Sequence, residues 1–131
     1  MEKIWLQSYE QGVPAEIDLS RYNSIIDVFE QSVQKFGSKT AFQNMGKTLS
    51  YAETGKLITD FASFLQNTLK LPQGERVAIM MPNVLQYPIA LFGALKAGMM
   101  VVNTNPLYTP RELEHQLNDN GATTIVVLEN F

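Results

Sequence analysis

The stretch Asn103-Thr104-Asn105-Pro106-Leu107-Tyr108 is where this sequence could place chemistry. It joins an apolar run, Met99–Val102, to a strong helix start, Thr109-Pro110-Arg111-Glu112. Amide, ring and phenol groups at such a junction can edge a small-molecule site. An ordinary strand-to-helix loop uses the same turn-forming Asn and Pro. The other candidates are weaker. Gly46-Lys47-Thr48 resembles the end of a phosphate loop, but the wrapping glycine expected five residues earlier is Ala41. His115 stands beside Glu112 and Glu114 with no second imidazole to join it. Those two carboxylates are two residues apart and so do not share a helix face. No G-x-G-x-x-G occurs, and the strand-end positions Pro82, Asn103 and Glu129 offer no phospho-acceptor aspartate. The residues by themselves supply no catalytic group and no metal site.

Composition narrows the classes further. The 131 residues carry 10 Lys+Arg against 13 Asp+Glu, a net charge of -3, with 45% hydrophobic and 18% charged residues. That balance suits a globular domain and argues against nucleic acid as a main partner, because phosphate binding needs clustered Lys and Arg. The absence of cysteine excludes disulfides, thiolate metal sites and cysteine nucleophiles. The first twelve residues contain no apolar run long enough for a signal peptide. Val84–Val102 is interrupted by Gln86, Pro88, Lys96 and Gly98, which favours a buried helix and strand over a membrane span. A cytoplasmic protein is expected.

The elements that must hold the loop follow from periodicity. Residues 1–22 have no sustained period and read as an extended arm, with Trp5, Tyr9 and Ile17 as anchors onto a body. Residues 23–75 read as helices and a hairpin. Ile25, Ile26, Phe29, Val33 and Phe36 form one helical face, closed by Gly37 as a C′ residue. Ala41–Asn44 and Thr48–Tyr51 flank Met45-Gly46 as a hairpin. Ser50 and Glu53 have capping-box spacing, and Leu57, Ile58, Phe61, Leu65 and Leu69 mark the stripe of a helix reaching Leu69.

Residues 76–131 change pattern. Arg76–Met81, Met99–Val102 and Thr124–Leu128 are short apolar runs that suit strands covered on both faces. Between them lie a small-residue helix over Asn83–Ala97 and a capped helix from Thr109 to Asn120-Gly121, with Leu113 and Leu117 inward. Crossovers of that length predict a right-handed βαβαβ unit with a parallel sheet. In such sheets ligands sit beyond the carboxyl ends of the strands, here Pro82-Asn83, Asn103–Tyr108 and Glu129 onward. Nothing helical follows the third strand. An uncovered edge and apolar face are therefore expected, and with them an incomplete part of a larger α/β body that self-associates as a homo-oligomer.

Longer motifs carry a resemblance. Val77-Ala78-Ile79-Met80-Met81-Pro82-Asn83, Gln86-Tyr87-Pro88-Ile89-Ala90-Leu91-Phe92-Gly93 and Leu95-Lys96-Ala97-Gly98 resemble the N-terminal part of AMP-forming acyl-CoA synthetases of the adenylating superfamily. Asn103-Thr104-Asn105-Pro106-Leu107-Tyr108-Thr109-Pro110-Arg111-Glu112-Leu113 is similar to the bacterial long-chain fatty acid–CoA ligases in particular. Ile4-Trp5-Leu6, Ile26-Asp27-Val28-Phe29-Glu30-Gln31 and Leu49-Ser50-Tyr51-Ala52-Glu53 fit the same group, with Thr54 where a leucine is usual.

The resemblance implies a parent enzyme that activates a long-chain fatty acid with ATP and magnesium. It then passes the acyl group to CoA with release of AMP and pyrophosphate. The family's phosphate-gripping loop and lid lysine match nothing in these residues, so no catalytic residue carries over and the chain alone should bind no cofactor tightly and be silent. Asn105, Pro106, Leu107 and Tyr108 match a loop near the CoA channel of relatives. Family members of this kind also imply action at the cytosolic membrane face. An AMP-forming ligase for another carboxylic acid, or a free-standing α/β binding module, are the alternatives.

Overall fold

The computed structural model describes residues 2–129. Its first helix, α1 (Ile25–Phe36), starts where Ser24 Oγ accepts a hydrogen bond from the Asp27 N–H. A hairpin of β1 (Thr40–Asn44) and β2 (Lys47–Ser50) follows, and α2 (Tyr51–Ser63) continues into a π turn over Phe64–Thr68. Then come β3 (Arg76–Met80), α3 (Gln86–Lys96), β4 (Met100–Asn103), α4 (Pro110–Asn120) and β5 (Thr124–Val127). The hairpin turns through Met45 and Gly46, both at positive φ (47° and 77°), the geometry that matches the twist of its antiparallel strands.

The second half is the expected parallel unit. β3 lies between β4 and β5, parallel to both, with Ala78 opposite Val102 on one side and Ile125 on the other. Right-handed crossovers in that order carry α3 over one face and α4 over the other. On the α3 face Val77 and Ile79 pack with Leu65, Ala62, Ala90, Ala94 and Met99, flanked by Phe61, Val101 and Val126. Burial of this apolar surface is the main force holding the domain together. Gly93 sets how closely α3 approaches α2. A Cβ there would lie 2.7 Å from the Phe61 ring and 3.2 Å from the Ile58 carbonyl oxygen. Phe29 of α1 stacks on Phe92 of α3 at 4.7 Å between centroids, which ties the first half to the second.

The α4 face is thinner. Leu113 and Leu117 are only half-buried, and no residue of α4 is fully buried. Ile125 (39% exposed) and Val127 (41%) lie opposite the buried Ala78 and Met80, and Met100 (46%) lies opposite Arg76 on the same face. This apolar face is thus covered only in part.

Five local expectations are corrected. The α1 face excludes Ile25, which is mostly exposed because it sits in the first turn beyond the reach of α2 and α3. Gly37 is right-handed (φ -41°, ψ -46°) rather than a left-handed cap; its carbonyl instead accepts the Ala52 N–H and so helps start α2. In α2 the buried positions are Thr54, Ile58, Ala62 and then Leu65, while Leu57 and Leu69 are exposed. Leu57 precedes Ile58 by about 100° of helix rotation. The π turn, marked by the Leu69 N–H bonding to the Phe64 carbonyl, rotates Leu69 off the stripe. In the arm, Trp5, Tyr9 and Ile17 are exposed, Ile17 at 84%. The arm forms a 3-10 turn over Ile4–Ser8 and closes on itself through Lys3 and Glu16 (2.7 Å). Lacking an apolar stripe, it has nothing continuous to lay on the body. Finally, α3 begins at Gln86 rather than Asn83, with Pro88 in its first turn, where a missing N–H costs least.

Candidate functional site

The carboxyl end of the sheet is assembled from three elements. β4 finishes at Asn103, opposite Ile79 of β3, and the next N–H, that of Thr104, still donates to the Ile79 carbonyl (3.0 Å). Thr104 is buried. From there the chain turns outward. Asn105 Oδ1 accepts the Leu107 N–H (3.0 Å) and its backbone carbonyl accepts the Tyr108 N–H (3.1 Å), a tight Asx-type turn. Asn105 is exposed, Pro106 and Tyr108 are half-buried, and Leu107 projects at 83% exposure.

The far end of the loop is fixed by the start of α4. Thr109 Oγ1 accepts the Glu112 N–H, and Glu112 Oε2 accepts from the Thr109 N–H (2.8 Å) and hydroxyl (2.7 Å). Those two donors, the backbone N–H first, hold the Glu112 carboxyl below its ordinary range. Pro110 at the first helical position needs no partner for its nitrogen. The sequence-predicted quartet Asn105, Pro106, Leu107 and Tyr108 is thus one continuous turn, clamped at both ends. His115 and Glu114 are exposed on α4, and Glu112 is committed to its cap. Among the described residues no cluster of three or more His, Asp or Glu could hold a metal ion. Lys47 opens β2 directly after the hairpin turn and does not stand between a strand and a helix, so Gly46-Lys47-Thr48 is no phosphate loop.

Two residues of this site escaped the sequence reading. Tyr87, in the first turn of α3, donates its hydroxyl to Asn103 Oδ1 (2.8 Å). Gln116 of α4 donates its amide to the Asn103 carbonyl (3.3 Å), while its own Oε1 is buried without a partner. A signal for Gln116 existed: it falls three residues after Leu113 and one before Leu117, a polar side chain on an inward stripe. Beside Tyr87 a cavity of about 340 Å³ opens between the hairpin and α3, walled by Phe42, Val84, Leu91 and Phe92. The Asn44 amide donates to the Asn83 carbonyl (2.9 Å) and holds the hairpin against this end of the sheet. A larger cavity, about 480 Å³, lies between α1 and α2 around Phe29, Val33 and Ile58. It shares no residue with the strand ends, and the charges on its rim are paired as Glu30 with Lys96 and Asp60 with Lys56.

A sheet with this site at its carboxyl edge matches known proteins. A family model described as AMP-binding enzyme matches residues 29–130. The chain belongs to the AMP-binding enzyme family. Over 131 residues it is 56% identical to a long-chain-fatty-acid–CoA ligase of Escherichia coli O6:H1, covering all of this chain and 23% of that protein. The Bacillus subtilis protein of the same name is 39% identical, over 98% of this chain and 22% of its own length. The chain therefore spans about a quarter of the curated relatives it matches. Among solved structures, the anthranilate CoA ligase AuaEII in complex with anthranoyl-AMP superposes with a TM-score of 0.78 at 24% identity, over 84% of this chain and 21% of that one. The Klebsiella oxytoca NpsA N-terminal subdomain in complex with anthranilyl-AMSN gives 0.75 at 24%, over 80% and 27%. At that identity the likeness concerns the fold. The mixed α/β arrangement, hairpin and parallel sheet included, is the fold shared with these two structures.

Proposed function

We propose that this chain is the N-terminal segment of a long-chain fatty acid–CoA ligase. The whole protein would convert ATP, a long-chain fatty acid and CoA into acyl-CoA, AMP and pyrophosphate. The observation that carries this reading is the 56% identity across the full 131 residues to proteins of that one name in several bacteria. The Asn103–Leu113 stretch, whose resemblance to such ligases is the most telling in the sequence, folds as the clamped turn and the start of α4.

The chemistry resides elsewhere in such a protein. The described residues contain neither a phosphate-gripping loop nor a carboxylate cluster for magnesium, so they do not fit ATP or the metal. What these residues can do is build a wall of the site. In this reading the turn Asn105–Tyr108 lies along the CoA channel: it sits at the strand ends, where sheets of this class take ligands. The rigid turn presents Leu107 and the Tyr108 ring to a ligand without the entropy cost of ordering a loop.

The test is a substrate series on the full-length protein. Long-chain, medium-chain, aryl and amino acids are each supplied with ATP, magnesium and CoA, and acyl-CoA and AMP are quantified together. Long-chain fatty acids should give the highest kcat/KM. A preference for an aryl or amino acid would replace this reading with that of a ligase for a different carboxylic acid.

A further inference from the structure

We infer that Tyr87 and Gln116 are positioning residues that hold the Asn105–Tyr108 turn at its working angle by gripping Asn103 from the two sides of the sheet. This rests on the reading above, in which that turn contacts CoA.

Asn103 is the last residue of β4, and among the described residues β4 pairs with β3 alone. The end of a strand frays readily, because the ladder of backbone hydrogen bonds gives out there. Any angular play at Asn103 passes directly to Asn105–Tyr108, two residues on. The capping box ties the far end of the turn to α4, but α4 itself packs lightly on the sheet, so that end is only as fixed as the helix. Two hydrogen bonds from outside the sheet remove that play. Asn103 shares the face of Ile79, and Tyr87 reaches its side-chain oxygen from α3 on that face. From α4 the Gln116 amide reaches its backbone carbonyl. Each crossover helix thus sends one side chain to the same residue.

The unpartnered Gln116 Oε1 is the second observation. A buried acceptor without a donor is destabilising, whereas a methionine of similar length would bring no polar atom to that position and would leave the carbonyl of the exposed Asn103 to water. For folding alone Gln116 is a poor choice. For holding the Asn103 carbonyl it is a suitable one, because its amide is the donor that carbonyl needs.

The experiment uses full-length protein with Tyr87→Phe and Gln116→Met. Three quantities are read: the KM for CoA, fatty-acid-dependent pyrophosphate exchange, which needs no CoA, and the melting temperature. Loss of one hydrogen bond from the clamp should raise the KM for CoA by about threefold to tenfold in each variant. Pyrophosphate exchange should stay near wild type. Gln116→Met should melt no lower than wild type, a separation that a purely structural role does not produce. Hydrogen exchange gives a readout independent of activity: the Leu107 and Tyr108 amides should exchange faster in Tyr87→Phe, with the Val77–Met80 amides unchanged. An active wild type with unaltered KM for CoA in both variants would overturn the inference and leave the ligase reading standing. A wild type that forms no acyl-CoA would overturn the ligase reading. In that case unaltered loop exchange overturns the clamp as well, and faster exchange upholds it.

Discussion

The two crossover helices of the sheet are specified in opposite ways. α3 has no side-chain cap at its start, yet Pro88, Ala90, Gly93 and Ala94 are buried against α2 and β3. α4 buries no residue completely, yet it carries a full capping box, Pro at its first position and a left-handed glycine at its end. Packing holds the first, and local hydrogen bonds hold the second. The densely packed side is scaffold, and the lightly packed side carries the turn proposed to contact CoA. Sites that must yield or bind are drawn from the less stable parts of a domain.

The contrast can be broken most forcefully on the packed side. Ile58→Ala should destabilise the domain by about 2–5 kcal/mol, since it empties a site directly beneath α3. Gly93→Val should cost about 1–3 kcal/mol, because even a Cβ there forces Phe61 and the α2 backbone to shift. Denaturant midpoints measure both. On the capped side Thr109→Ala should cost only about 0.5–2 kcal/mol, the range for losing one N-cap hydroxyl. Its amide-exchange signature should stay within Pro110–Asn120, whereas Ile58→Ala accelerates exchange across β3 as well. Equal effects from both sides would remove the distinction.

Acid sharpens the same contrast. Glu112 and Glu53 each accept a backbone N–H and a hydroxyl inside a capping box, which holds both carboxyls below their ordinary values. A carboxyl whose folded value is depressed contributes its full stabilisation above the unfolded value and loses it as pH falls through the folded one. The first turns of α2 and α4 should therefore loosen on acidification before the apolar core does. Glu112→Gln should remove the α4 share of that acid sensitivity, seen as a flatter dependence of α4 amide exchange on pH below the ordinary carboxyl value of 4.5. An unchanged slope would mean that the box is not formed in solution.

What the sequence revealed divides along the same line. Thr109-Pro110-Arg111-Glu112, Ser50 with Glu53 and Met45-Gly46 act through neighbours a few residues away, and all three are found as read. The three apolar runs become strands within a residue of their expected ends. Misreadings arise where tertiary packing decides. The α2 stripe takes Thr54 and Ala62 in place of Leu57 and Leu69, because closeness to α3 rewards small side chains and a π turn shifts the register. The arm's aromatic residues carry no periodicity that could show whether they dock. At the site, the turn residues were visible as a cluster of Asn and Pro. The Tyr87–Asn103 contact spans sixteen residues and the Gln116–Asn103 contact thirteen, so both depend on the sheet being assembled. The strand-end position from Glu129 onward runs into residues 130 and 131, outside the described residues.

The central claim is that this chain shapes a ligase whose reacting groups lie in other parts of the protein. Acyl-CoA formation should be measured side by side for the full-length protein and for the isolated 131-residue chain, each with ATP, magnesium, CoA and a long-chain fatty acid. The account predicts turnover by the full-length protein and none by the isolated chain. Turnover by the isolated chain, or a full-length protein inactive toward every fatty acid, would contradict it.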